Sequence, residues 1–203
     1  MSDSTILSVH HESEGNGAAA LTQSIIKGAN GANSATNAIL GFLSIVTDSS
    51  GVFGGYLVTN AWGRPLEFRL STAVLPNRVQ QILYGPTLAE YLHAELIGKT
   101  LVEKTTTQPT LIIADTLAAL GLRNRVQIPT LSTAAADGPE YRSLTTERAG
   151  QLLAYAAKHV ADLPLIHARL EQVDPAVDLA EPFARIREAM LEARKMGVTN
   201  RAA

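Results

Sequence analysis

The run from Phe42 to Leu70, FLSIVTDSSGVFGGYLVTNAWGRPLEFRL, constrains the fold more than any other part of this chain. Three β-rich apolar stretches are separated by two short clusters of turn formers, so the run reads as an antiparallel meander. Leu43, Ile45 and Val46 lead into Asp48-Ser49-Ser50-Gly51, whose side chains can bond their own backbone and whose glycine accepts positive φ. Phe53 to Thr59 is the second stretch and Asn60-Ala61-Trp62-Gly63 the second turn. Leu66 to Leu70 then alternates apolar and charged residues, the pattern of a strand with one wet face. Gly54-Gly55, inside the second stretch, marks a bulge or the close approach of another backbone.

Downstream of the meander, Pro86 to Lys104 is apolar on nearly all sides, as a helix packed between a sheet and later helices should be. Pro109 to Asp115 is a short apolar strand ending in a second carboxylate. In order, the chain carries Thr47-Asp48-Ser49-Ser50, Gly54-Gly55-Tyr56, Ala89-Glu90-Tyr91 and Asp115-Thr116. This succession resembles the ribonuclease H-like superfamily over about residues 40 to 122. The resemblance implies an α/β fold: a three-stranded antiparallel meander followed by a helix and a parallel strand, with helices at the C-terminal end. It also implies a metal-dependent nuclease or nucleic-acid-processing protein, with Mg²⁺ or Mn²⁺ held by Asp48, Glu90 and Asp115. Glu147 is the candidate for the further catalytic acid, ahead of Asp178. Gln80 stands where one alignment with the family expects a glutamate, and it brings no negative charge.

Two-metal hydrolysis needs three or four carboxylates converging on ions about 4 Å apart. Each of these residues also has a plainer explanation. Asp48 heads a turn that favours aspartate for capping its own backbone, and Asp115 precedes a short helix that it could cap. On an ideal α-helix Glu90 and Glu95 project from opposite sides, because five residues turn through about 500°. Glu95 lies nearer the larger apolar face and is expected to pair with an arginine if buried.

The rival reading comes from a different class of function: a non-catalytic scaffold or interaction subunit of a larger complex, with a protein partner. Trp62 and Arg64 at a hairpin tip have the composition of interface anchors. Arg78 lies on the polar strip of a short helix starting at Pro76, with Val79, Ile82 and Leu83 sharing the other side. The net charge of −2 argues against a protein that grips nucleic acid by charge alone, although Lys27 is the only basic residue before Arg64 and leaves room for a local basic groove later on.

With 203 residues, 46% of them hydrophobic, the chain can bury one good core. The organisation expected is a flexible N-terminal tail over 1–38, an α/β core over 39–161 and a helical extension over 162–203. The tail includes one possible helix from Ala18 to Lys27, and its His10-His11 pair is expected to be solvated. Having no cysteine, the chain can form no disulfide or thiolate metal site. Neither a secretory leader nor a bilayer-length apolar run is read, which suits a cytoplasmic protein. Toward the C-terminus, Arg125 to Leu131 reads as a fifth strand and Ala134 to Arg142 as a loop. Thr145 or Thr146 reads as the cap of a helix to Ala161, with the stripe Leu152, Leu153, Ala156 and Val160. A last helix is expected from Asp178 to Met196, with the stripe Leu179, Phe183, Ile186 and Met190.

Overall fold

The computed structural model describes residues 38–146 and 151–197 in full and the backbone of 23–27. Among the described residues eight strands form one mixed sheet: β1 (Gln23–Lys27), β2 (Leu40–Asp48), β3 (Gly51–Thr59), β4 (Pro65–Leu70), β5 (Leu111–Ala114), β6 (Thr130–Ser132), β7 (Tyr141–Thr145) and β8 (Leu152–Ala156), in the order β1-β4-β3-β2-β5-β6-β8-β7. β2, β3 and β4 pair antiparallel in succession, from Leu40 opposite Thr59 to Asp48 opposite Gly51 in the first hairpin. β5 runs parallel to β2 on its other side, and β6 parallel to β5. The helices are α1 (Arg78–Tyr84), α2 (85–104), α3 (Leu163–Glu171) and α4 (Glu181–Lys195), with 3-10 turns at Leu117–Asn124 and Ala157–Asp162.

Neighbouring residues on the central strands fall into opposite cores, because side chains alternate across a sheet. Phe42, Leu57 and Ile113 pack with Phe183, Ile186 and Met190 of α4. Leu43, Tyr56 and Ile112 pack with Leu92, Ile97 and Leu101 of α2. Sheet strands covered on both faces read as continuous apolar runs, and β3 is buried along its whole length. The two glycines of β3 lie where both layers press hardest. A Cβ on Gly54 would sit 2.5 Å from Ile97 Cγ2, and one on Gly55 would sit 2.5 Å from Ile186 Cγ2 and 2.7 Å from Met190 Sδ. The β2–β3 ladder passes both without a shift, so the pair marks close approach of helix side chains and not a bulge.

Several elements differ from the sequence-based expectation. Gln23–Lys27 is a strand on β4, not the end of a helix from Ala18, and residues 1–22 and 28–37 lie outside those described. The fifth strand of the core, β6, starts only at Thr130; Pro129 lacks the N–H for a ladder, and its carbonyl instead accepts from Ile112 N at 2.9 Å. Residues 152–156 are strand and not helix, paired with β7 along five residues from Tyr141↔Ala156 to Thr145↔Leu152. Tertiary pairing here overrides the helix preference of leucine and alanine. The charged side of β4 is not wet: Glu67 and Arg69 are only 3% and 12% exposed, beneath the loop that follows α2. The stripe of α4 is buried as its spacing predicts, and it belongs to the same core as β2 and β3.

Candidate functional site

Two of the carboxylates singled out in the sequence, Asp48 and Asp115, sit at the C-terminal ends of β2 and β5, and both contact α4. Asp48 closes its own turn: its Oδ1 accepts from Ser50 N at 2.8 Å and Ser50 Oγ at 2.6 Å, and its Oδ2 from the Arg194 guanidinium. Arg194 also donates to Ser50 Oγ at 2.8 Å and lies 4.6 Å from the ring centre of Phe53. The Ser50 hydroxyl, then Arg194 and the Ser50 amide, lower the pKa of Asp48 to about 2. Asp115 Oδ2 accepts from Ser44 Oγ and Oδ1 from Ile45 N at 3.1 Å, and Arg187 approaches the same Oδ2 at 3.3 Å. Burial pushes its carboxyl up despite these bonds. It is Thr116, not Asp115, that stands at the start of the following 3-10 helix.

Arg187 and Arg194 are seven residues apart on α4, two turns along one side, or about 10.5 Å. Their partners are similarly spread, since Ser44 beside Asp115 and Asp48 itself are four strand residues apart, about 13 Å. The two carboxylates therefore meet α4 at two separate points. This pair of arginines was missed in the sequence, although their i,i+7 spacing beside the Phe183–Met190 stripe could have suggested paired anchors.

Glu90 is elsewhere. α2 is wound as a π-helix from Tyr91 to Gly98, and i→i+5 winding stacks residues five apart. Glu90 and Glu95 consequently come out on the same side, correcting the opposite projection expected of an α-helix. Glu90 lies on Gly121, where a Cβ would meet its Cδ at 2.9 Å, and Glu95 pairs with Arg125. Glu147 lies outside the described residues. Asp178 accepts from Ala180 N at 2.8 Å and so serves the turn into α4. Among the described residues no three His, Asp or Glu side chains are grouped to hold a metal ion. Arg194 and Arg187 occupy the sides of Asp48 and Asp115 that a cation would need, so the residues as placed do not fit the Mg²⁺ or Mn²⁺ pair.

The partner-binding candidates are all on the surface. Trp62 is 55% exposed in the β3–β4 turn, which Asn60 Oδ1 holds by accepting from Trp62 N and Arg64 N, each at 3.0 Å. Arg64 is exposed beside it. Arg78 opens α1, near the other end of β3, where Val52 pairs with Val74. No described helix is long and apolar enough to cross a membrane.

Asp115→Asn tests what this carboxylate does. A buried acid with a raised folded-state pKa makes the fold less stable as pH rises through that value, and more stable as pH falls toward the ordinary carboxylate pKa. Its half-exposed partner Arg187 returns at most about 1 kcal/mol. The variant is expected to match or exceed the wild type by up to about 1 kcal/mol at neutral pH, and to lose the advantage on acidification. Urea unfolding at several pH values reads this directly. A loss of several kcal/mol would show that the charge itself holds α4.

No protein-family model matches the chain, and no curated protein matches it.

Proposed function

We propose that this chain is a non-catalytic interaction subunit that docks another polypeptide on α1. The observation that carries this reading is the state of α1 itself. None of its residues is buried, and Leu75, Val79, Ile82 and Leu83 are 72%, 62%, 64% and 78% exposed. Seven residues are too few for a helix to persist in water on propensity alone. α1 is instead held by its ends. Asn77 Oδ1 accepts from Gln80 N at 2.8 Å while Gln80 Oε1 accepts from Asn77 N at 2.9 Å, and Gly85 turns the chain at φ 48°. A capped helix offering apolar anchors at i, i+3 and i+4 is built for a helix-in-groove or helix-on-helix contact. Its only charge is Arg78, so the fitting partner has an apolar face with an acidic rim. The engagement of Asp48 and Asp115 by α4 supports the same reading, because Arg194 and Arg187 already take up the carboxylates that metal chemistry would use.

A photo-crosslinking residue at Leu83, introduced in the producing cell, tests this. One polypeptide captured from Leu83, not captured from the same residue at Gln80, and lost when Val79→Asp is added, is the expected result. Identical products from both positions would overturn it. A product of twice the chain's mass would make the partner a second copy.

A second reading, a metal-dependent nuclease on a ribonuclease H-like core, has its own support. The antiparallel β2-β3-β4 order, β5 parallel to β2, and aspartates ending both β2 and β5 are what that resemblance implies. β1, β7 and β8 extend the sheet beyond that arrangement. The reading requires Arg187 and Arg194 to leave their carboxylates. Mn²⁺-dependent cleavage of a labelled duplex that vanishes in Asp115→Asn, a variant expected to stay folded, would favour it.

A further inference from the structure

Between α2, the 3-10 helix Leu117–Asn124 and the β7–β8 hairpin lies a half-open cavity of about 370 Å³. That is within the usual range for a small-molecule site, about 300–1,000 Å³. Leu117, Leu120 and Ala156 give it an apolar floor, and Glu90, Glu140 and Lys158 bring charge to it. Two local features fix the acids. Gly121 leaves room for the Glu90 carboxyl to lie against the 3-10 helix, and Gly138 leaves room for the Glu140 carboxyl, whose backbone is tied down by its carbonyl accepting from Ala157 N at 2.8 Å.

Neighbouring acids are paired: Glu95 with Arg125, and Asp162 with Arg123 at 2.7 Å. Glu90 and Glu140 have no hydrogen-bond or ion-pair partner among the described residues, and neither has Lys158. Tyr141 lines the same cavity, and its phenol pKa is raised by burial first and then by the charges of Glu140 and Glu90. A cavity lined by apolar side chains, two unpaired carboxylates and one unpaired ammonium matches a molecule with a cationic head, an aliphatic stem and an anionic end.

We propose that this cavity binds a small zwitterion of the basic amino-acid type, with its guanidinium or ammonium between Glu90 and Glu140 and its carboxylate on Lys158. Charge-assisted hydrogen bonds at both ends would orient it, and the leucines would cover the stem. The site does not depend on what docks at α1.

Calorimetric titration of the full chain with L-arginine at low salt tests the assignment, with agmatine, which has the same stem without the carboxylate, as the second probe. Arginine is expected to bind saturably, with a Kd of roughly 1 mM or below. Agmatine should bind several-fold more weakly, and Lys158→Met should remove that difference. Glu90→Gln and Glu140→Gln should each weaken arginine by about tenfold, a factor equivalent to about 1.4 kcal/mol. These three side chains are unpaired, so the variants should keep the melting temperature of the wild type. Absence of saturation by roughly 10 mM arginine, equal affinities for the two probes, or affinity untouched by both glutamine changes would each overturn the proposal.

Discussion

Glu67→Ala is expected to destabilise the protein by roughly 3–5 kcal/mol, because it strips a buried cation of its partner and two amides of their acceptor. Glu67 Oε1 accepts from Arg69 Nε at 2.8 Å, and Oε2 accepts from Thr106 N at 3.0 Å and Thr107 N at 2.9 Å. The carboxylate thus ties β4 to the loop leaving α2. Burial alone would raise its pKa, but the Thr107 and Thr106 amides and then Arg69 outweigh burial and hold it below the ordinary value. The sign of the pH effect follows. A folded pKa below the unfolded one adds stability that is fully present above the unfolded value and is lost as pH falls through the folded one. The gap between wild type and Glu67→Ala in urea midpoints should therefore be largest at neutral pH and shrink on acidification. Since a domain's whole stability is about 5–15 kcal/mol, this single change could leave the fold marginal, and Glu67→Gln, which keeps an acceptor for one amide, should cost less. A loss under 1 kcal/mol with no pH dependence would remove Glu67 from this role.

Gly54→Val and Gly55→Val are each expected to cost about 2–3 kcal/mol through overpacking. The two changes strike opposite layers. Gly54 faces Ile97 and Leu101 of α2, and Gly55 faces Ile186 and Met190 of α4. The nearest atoms are branch methyls close to their own backbone, so relief requires a helix to move and not merely a side-chain tip to swing. Gly55→Val should also loosen the Arg187 and Arg194 contacts, whereas Gly54→Val should leave them in place. A reduced urea midpoint with an unchanged m value, measured for each variant, is the expected signature. A valine accepted at Gly55 without loss would mean that α4 does not sit on β3 as described.

The meander was legible because turn formers bracket β-rich runs on both sides, and α4 because Leu179, Phe183, Ile186 and Met190 repeat at helical spacing. What was not legible has identifiable physical causes. Leu152 to Ala156 favour helix locally, and only the partner strands β6 and β7 make them a strand. The π winding of α2 changes which side Glu90 faces, and no periodicity in the residues announces it. The arginines that engage Asp48 and Asp115 are 146 and 72 residues away in sequence, beyond any local pattern. For α1 the spacing of Val79, Ile82 and Leu83 was plain. Their exposure was not, since an apolar stripe ordinarily faces its own core.

Amide hydrogen exchange on the purified chain, at a dilution where it runs as a monomer, tests the central claim about α1 most directly. Opening free energies run from near zero at uncovered segments to the global value in the core. The amides of Gln81 to Tyr84 are predicted to exchange with little protection, at an opening cost of at most about 2 kcal/mol, while β3 exchanges only by global unfolding. Protection of α1 in the monomer as high as that of β3 would contradict the account, because a helix already held by its own fold has no open face to give a partner.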